Sequence, residues 1–468
     1  MKYISTRGAA PTLAFDEVLL SGLASDGGLY LPESWPEFSA ADQRAMARMS
    51  YDELALTVIR PFVGDAIEEA DLERIIQETY RGFSHSAVAP LKQLDSQIWL
   101  MELFHGSTLA FKDYALQLVG RLFGHVLAAR GERVTIVGAT SGDTGSAAIE
   151  ACRGRPEIEV FMLHPQGRVS EVQRRQMTTV LSDNIHNIAV DGTFDDCQDL
   201  VKAMFNDRAF RDSFQLSAVN SINWARIMAQ IVYYFAAGVA LGAPDRPIGF
   251  SVPTGNFGNV FAGYAAGRMG LPVAQLIVAS NANDILTRFF ESGAMTVVGV
   301  QPTLSPSMDI QVSSNFERLL FDLFDHKGPR VAEALTQFRQ NGSFAVEQKL
   351  RDRLDRLFDA YRLNDGGTLG EMARIYQATG EILDPHTAIG TAAARALRRD
   401  EVGAMVALAT AHPAKFPDAV EKALGLRPAL PDHLLDLYER EERLTPMDND
   451  GSALQDLIRA RARASNRR

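Results

Sequence analysis

Two cysteines in 468 residues, Cys152 and Cys197, cannot build a disulfide framework, and their scarcity fits a reducing compartment. No uninterrupted apolar run reaches the ~20 residues that a bilayer span needs. The longest candidate, 227–241, follows Arg226 and reads as a buried helix. The opening Met1-Lys2-Tyr3-Ile4-Ser5 lacks the apolar core of a secretory signal, so a cytoplasmic protein without a membrane partner is expected. Positive charge is in deficit: the net charge is -11, which argues against a nucleic-acid partner. Metal signatures are missing as well. There is no H-E-x-x-H, and two separated cysteines cannot build a zinc cluster, so no metal is expected. Internal repeats, low-complexity tracts and Pro-rich linkers are likewise absent.

What is present is the composition of a globular enzyme, 46% hydrophobic and 22% charged, long enough for two or three domains. Residues up to about 97 mix turns with amphipathic helices at 51–62 and 66–80, with Pro61 near their junction. From there the texture alternates. Short apolar runs at 98–103, 134–137, 158–163 and 185–190 predict strands, and a second series at 248–252, 275–279 and 404–409 follows a long helix at 222–241. Strands alternating with helices predict α/β architecture, with mostly parallel sheets covered on both faces. The stretch 315–363 reads as a helical, charge-rich insertion, structural and solvent-exposed. Arg459, Arg461, Arg463, Arg467 and Arg468 form a basic tip, read as a solvated helix end.

Five stretches could carry chemistry. In His105-Gly106-Ser107-Thr108-Leu109-Ala110-Phe111-Lys112-Asp113 a lone lysine precedes a strongly apolar helical pattern. Asp113 is placed to cap that helix or to complement its positive end, and Lys112 to sit just outside its N-terminus, a setting suited to Schiff-base chemistry. A snorkelling surface lysine fits the same residues. Gly138-Ala139-Thr140-Ser141-Gly142-Asp143-Thr144-Gly145-Ser146 follows a strand and opens a helix near Thr144, which makes an anion site. No lysine makes it a nucleotide P-loop, and Ser141 lacks a G-x-S-x-G elbow; a merely capped helix start is the alternative. Val252-Pro253-Thr254-Gly255-Asn256-Phe257-Gly258-Asn259 repeats the strand–turn–helix placement and suits a phosphate, or a plain turn. Its spacing is wrong for a dinucleotide fingerprint. Asn220-Ser221-Ile222-Asn223-Trp224-Ala225-Arg226 heads the long helix. Asn220 or Ser221 is placed to cap it, and Arg226 to bind an oxyanion or join a structural ion pair. In Leu408-Ala409-Thr410-Ala411-His412-Pro413-Ala414-Lys415-Phe416, Thr410 stands at the carboxyl edge of a strand, where it faces a ligand or caps a helix.

Together, F-K-D preceded by H-G-S-T, then A-T-S-G-D-T-G, P-T-G-N-F-G-N and T-A-H-P-A-K-F resemble the threonine synthases, especially the longer microbial and fungal members. Gly22-Leu23-Ala24-Ser25-Asp26-Gly27-Gly28-Leu29-Tyr30, Ser305-Pro306-Ser307-Met308-Asp309-Ile310 and Ser314-Asn315-Phe316-Glu317-Arg318 match as well, and the resemblance runs to about Phe416. It implies a pyridoxal-phosphate enzyme of the tryptophan synthase β-subunit fold: two three-layer αβα domains with the cofactor in the cleft between them. The expected division is a leader at 1–97, a smaller αβα domain at 98–220, a larger one at 221–427 and a charged helical arm at 428–468. A monomer or homodimer is expected.

By the same resemblance Lys112 would hold the cofactor covalently and move protons. Gly255, Asn256, Phe257, Gly258 and Asn259 would bind its phosphate, and Thr410 would face its pyridine nitrogen. Thr140, Ser141, Gly142, Asp143 and Thr144 would grip the substrate carboxylate and flank the phenolic oxygen, while Asn220, Ser221 and Arg226 would receive the substrate phosphate. Shorter family members carry asparagine where Asp143 stands. An ionised carboxylate would repel a phenolate, so Asp143 either points elsewhere or is protonated. The implied reaction converts O-phospho-L-homoserine and water to L-threonine and phosphate. A dehydratase or phospholyase acting on serine, threonine or their phosphates is the alternative within the cofactor class. A silent metabolite-binding relative is the alternative outside it.

Overall fold

Apolar runs bounded by turn residues become the inner strands of two sheets, because a strand buried on both faces needs side chains that lose nothing in leaving water. The computed structural model describes residues 1–218 and 221–462. The chain divides into two compact units, Met1–His105 with Ser221–Pro428, and Gly106–Asn220 with Ala429–Arg468.

The first unit holds a six-stranded sheet in the spatial order Phe358–Arg362, Val273–Ser280, Ile248–Pro253, Ala404–Ala409, Ile98–Glu102 and Leu91–Gln93. All neighbours are parallel except the last pair. Every residue of Ile248–Pro253 and Ala404–Ala409 is buried, so helices cover both faces at the centre. The core joins sheet residues such as Ile277, Met405 and Ala407 to Ile389 and Ala393 of the helix Pro385–Leu397. Each such large aliphatic side chain contributes about 1.5–3 kcal/mol by leaving water.

The second unit holds a wholly parallel five-stranded sheet: Thr445–Asp448, Ile185–Asp191, Ile158–Pro165, Val134–Ala139 and Leu216–Ser217. Val137, Phe161, Ile188 and Cys197 make its core with Leu454 and Ile458 of the last helix, Gly451–Arg461. No helix among the described residues is long and apolar enough to cross a membrane.

Several expectations change. The strand Ile98–Glu102, read with the smaller domain, pairs with Ala404–Ala409 in the first unit's sheet. The C-terminal arm contributes an edge strand, Thr445–Asp448, as well as a helix. The stretch 315–363 is not uniformly solvent-exposed: Phe316–Leu323 is buried throughout, Glu317, Arg318 and Asp322 included. Its end, Phe358–Arg362, is a strand of the main sheet. The charged run from Lys349 to Arg356 does face outward, over buried Leu350 and Leu354. Pro61 lies inside the helix Tyr51–Val63, close to its end. Of the basic tip, Arg459 and Arg461 end the last helix, while Arg463, Arg467 and Arg468 lie outside the described residues.

Candidate active site

In the second unit, Lys112 is the first residue of the helix Lys112–Arg130, not a residue outside it, and is 8% exposed. Asp113 does not cap this helix but lies in its first turn, where an acidic side chain complements the positive end. Its carboxylate turns back to accept the Thr108 N–H and the Thr108 hydroxyl, each at 2.8 Å, which fixes the approach to the lysine. The Lys112 amine lies 5.7 Å from the Phe111 ring centre and donates to Asp143 Oδ2 over 3.1 Å. A lysine this buried stays charged only beside an opposite charge, and Asp143, itself 5% exposed, supplies it.

Asp143 opens the helix Asp143–Cys152, directly after the strand Val134–Ala139 and its turn. Thr140 Oγ1 accepts the N–H groups of Gly142 and Gly145 at 3.0 and 2.9 Å, so part of this anion nest is satisfied internally. The N–H groups of Ser141 and Thr144 have no partner among the described residues and remain able to bind an anion. Gly142 has φ +136, and a Cβ there would lie 2.5 Å from Gln173 Cδ, so only glycine fits. Gln173, on the helix Glu171–Thr178, donates from Nε2 to Asp143 Oδ1 over 2.8 Å. Three residues on, Gln176 donates to the Thr108 carbonyl over 3.2 Å. One helix face therefore latches both the lysine approach and the carboxylate turn.

In the first unit, neighbouring parallel strands deliver two further stretches from their carboxyl ends, where open α/β sheets bind ligands. Ile248–Pro253 runs into Thr254-Gly255-Asn256-Phe257, and Ala404–Ala409 into Thr410. Phe257 holds φ +63, an uncommon conformation for an aromatic residue. Burial against Phe316, with ring centres 5.1 Å apart edge to face, helps to hold it there. A Cβ on Gly255 would lie 3.0 Å from the Ser307 carbonyl oxygen and 3.3 Å from Met308 Cα, so the turn is packed too closely for a side chain. Asn259 Oδ1 accepts both the Tyr233 and the Tyr234 hydroxyls at 2.6 and 2.9 Å, while its buried Nδ2 has no hydrogen-bond partner among the described residues. A glycine turn before a helix N-terminus, with an unused buried donor beside it, fits a phosphate group.

Thr410 is 5% exposed and caps no helix; the cap of the following turn is His412. Its N–H donates to Thr387 Oγ1 over 3.3 Å, and that hydroxyl donates to Asp384. The other Asp384 oxygen lies 2.8 Å from His386 Nδ1, and His386 Nε2 accepts the Ser307 N–H over 3.3 Å. The partners place the imidazole proton on Nδ1. Thr410 and the loop packed on Gly255 are thus ends of one hydrogen-bonded chain.

The long helix is Trp224–Ala240, capped by Asn223 rather than by Asn220 or Ser221: the Asn223 side chain accepts the Ala225 N–H over 3.0 Å. Asn220 lies outside the described residues. The Ser221 carbonyl accepts Asn315 Nδ2 over 3.0 Å. Arg226 is 4% exposed, and its Nε and Nη1 have no hydrogen-bond partner among the described residues. Burial pushes its guanidinium down to about 10. A buried guanidinium with two unused nitrogens is costly, and an anion is the group that would satisfy it.

Sequence reasoning missed Gln173, Asn315 and the Asp384–His386 pair. Asn315 is a hub: its N–H and Nδ2 both donate to the Asn256 carbonyl over 3.1 Å, and its Oδ1 accepts from Arg318. Asp-Pro ahead of an apolar helix in Asp384-Pro385-His386-Thr387 was a readable cap signature. Nothing marked Gln173, a polar residue in an ordinary amphipathic turn. Asp309 and Arg318 also gain a physical account. The Asp309 carboxylate gathers Asn281 Nδ2, Asn283 Nδ2 and the Thr303 N–H at 2.8–2.9 Å, which shapes the loop against Gly255. Arg318 ties Asn315 to the Tyr30 and Ile222 carbonyls. Among the described residues no three His, Cys, Asp or Glu side chains group as a metal site.

Comparison with known proteins adds the family. Residues 2–80 match the model of the threonine synthase N terminus, 84–410 that of pyridoxal-phosphate-dependent enzymes, and 387–458 that of the threonine synthase C-terminal region. A threonine synthase of Pseudomonas aeruginosa is 59% identical over 459 residues, 98% of each chain. The crystal structure of a pyridoxal-phosphate-bound threonine synthase from Brucella melitensis superposes with a TM-score of 0.98 at 53% identity, covering 99% of this chain and 100% of that one. The yeast threonine synthase structure gives 0.94 at 39% identity, covering 98% of both chains. This chain belongs to the threonine synthase family of pyridoxal-phosphate-dependent enzymes.

Proposed function

We propose that the substrate is O-phospho-L-homoserine, converted with water to L-threonine and phosphate. The observation that carries this choice is Arg226. A buried guanidinium with unused donors, in the same unit as a separate glycine phosphate turn, supplies a second anion site. A hydroxy-amino-acid dehydratase needs only one, for the cofactor.

Lys112 is the amine that holds the cofactor and carries protons, and its burial keeps water from competing. Gly255, Asn256, Phe257, Gly258 and Asn259 hold the cofactor phosphate, with Asn259 Nδ2 as a spare donor. Thr410 offers a neutral hydroxyl to the pyridine nitrogen. When bound, the cofactor supplies an electron sink for the negative charge left by deprotonation at Cα. The Thr140–Thr144 turn binds the substrate carboxylate through the Ser141 and Thr144 amides, and Asp143 orients Lys112. Arg226 and the Ser221 region, with Asn220, receive the phosphate that leaves. We place the enzyme in the cytoplasm, a reading supported by two buried free cysteines, and expect a monomer or homodimer.

The test is to incubate purified protein with O-phospho-L-homoserine and assay threonine and phosphate together. Equal yields are expected. Phosphate accompanied by a 2-oxo acid and ammonia would replace this reading with a phospholyase. Lys112→Ala is expected to lower threonine formation at least about 10³-fold with the fold intact by circular dichroism; appreciable turnover would remove Lys112 from its role.

A further inference from the structure

We propose that Gln173 is a positioning residue: it holds the Asp143 carboxylate ionised and aimed at Lys112, and so keeps the lysine nitrogen protonated. The inference rests on Lys112 being the cofactor-bearing amine.

The geometry is a continuous chain. Lys112 Nζ donates to Asp143 Oδ2 over 3.1 Å, and Gln173 Nε2 donates to Asp143 Oδ1 over 2.8 Å. The Ser170 hydroxyl donates to Gln173 Oε1 over 2.9 Å. Paired with Lys112, the Asp143 carboxylate only accepts, which calls for the NH₂ end of the amide, and the Ser170 hydroxyl can donate to the other end. With Oε1 engaged by Ser170, the NH₂ group points at the carboxylate and stabilises its ionised form. Ser170 is also the N-cap of the helix that carries Gln173, so the amide is anchored at both ends. Gln173 is 5% exposed, a depth at which a hydrogen bond to an ionised group is strong and its loss is felt.

The Asp, Glu and Arg side chains on the elements packed around this chain have partners of their own. On the lysine helix, Asp113 bonds Thr108 and Arg121 the Gln117 carbonyl. On the helix of Gln173, Glu171 pairs with Arg175, and Arg174 with Glu442. Glu150, on the helix of Asp143, pairs with Arg153. On the strand Ile158–Pro165, Glu159 meets His186, and burial pushes the His164 imidazole down to about 4, so it stays neutral. A neutral donor on Asp143 therefore strengthens its negative charge at Lys112 without bringing a competing charge.

The test uses the cofactor-loaded protein. Borohydride reduction followed by peptide mass analysis first shows whether Lys112 carries the cofactor; label on another lysine would overturn the Lys112 assignment itself. With Lys112 labelled, the pH at which the long-wavelength visible band converts reads the proton on its nitrogen. Gln173→Leu is expected to lower that pH by about one unit or more, and Asp143→Asn to lower it further. The double variant Asp143→Asn/Gln173→Leu should match Asp143→Asn alone, because Gln173 acts only through Asp143. Ser170→Ala, which frees the amide to turn, should give a smaller shift the same way and carries the test if Gln173→Leu does not fold. No shift in the folded variants, or a Gln173→Leu shift that adds in full to that of Asp143→Asn, would overturn the proposal.

Discussion

Two arginines are buried in one unit, and their surroundings are opposites. Arg318 is fully buried, donates to the Tyr30 carbonyl at 3.1 Å and the Ile222 carbonyl at 2.6 Å, bonds Asn315 Oδ1, and lies 5.9 Å from the Trp224 ring centre. Arg226, in the helix that Trp224 begins, leaves Nε and Nη1 without partners. Burial pushes both guanidinium groups down, to about 9 at Arg318 and about 10 at Arg226. The difference lies in who completes the hydrogen bonds. Around Arg318 the protein does it, with the Tyr30 and Ile222 carbonyls and the Asn315 side chain, so this arginine belongs to the architecture that steadies Asn315 and the turn at 254–259. Around Arg226 the described residues stop short, as they do at Asn259 Nδ2, and the donors are left able to take a ligand.

The same substitution should therefore have opposite signs at the two sites. Arg318→Met strands the buried Tyr30 carbonyl, the partly buried Ile222 carbonyl and the Asn315 side chain, and is expected to cost about 3–5 kcal/mol of stability in urea unfolding. A loss under about 1 kcal/mol would dissolve the contrast. Arg226→Met removes an unpaired buried charge and keeps the volume, so the loaded protein, free of substrate and phosphate, should gain about 1–3 kcal/mol. A clear destabilisation would mean that Arg226 already has a partner.

The smallest effect is on pH. Arg226 releases its proton more readily in the folded protein, at about 10, below the ordinary arginine range. As pH rises towards 10, the charged donor that we assign to the substrate phosphate is progressively lost. KM for O-phospho-L-homoserine should rise over this range in the wild type, beyond the rise seen in Arg226→Met. Parallel profiles would show that another group titrates. In the same window the unfolded chain holds more protons at this site, so the site's contribution to stability rises with pH.

How much of this was legible beforehand follows from which interactions are local. The strand at 404–409 could be read because six apolar residues in a row have few other uses, and the turn at 254–259 because glycine and asparagine between strand and helix signal close backbone approach. Phe358–Arg362 could not: alternating Asp359 and Arg362 with aromatics beside a charged helix hides a strand whose register is set by Val273–Ser280, some eighty residues earlier. Lys112 was legible as a residue, but its partner was not. Whether Asp143 meets the lysine or turns away depends on Gln173, thirty residues on, which only tertiary packing brings near. Arg226 shows the same limit. Its spacing in the helix was readable, whereas the absence of a partner is a property of the folded unit.

The direct measurement is KM for O-phospho-L-homoserine and the cofactor dissociation constant, determined side by side for wild type and Arg226→Met. The expected result is a KM higher by about 10–100-fold with cofactor affinity unchanged within about twofold, the loss of one charged hydrogen-bonding group from the substrate alone. An equal loss of both, or of neither, would contradict the assignment of Arg226 to the substrate phosphate.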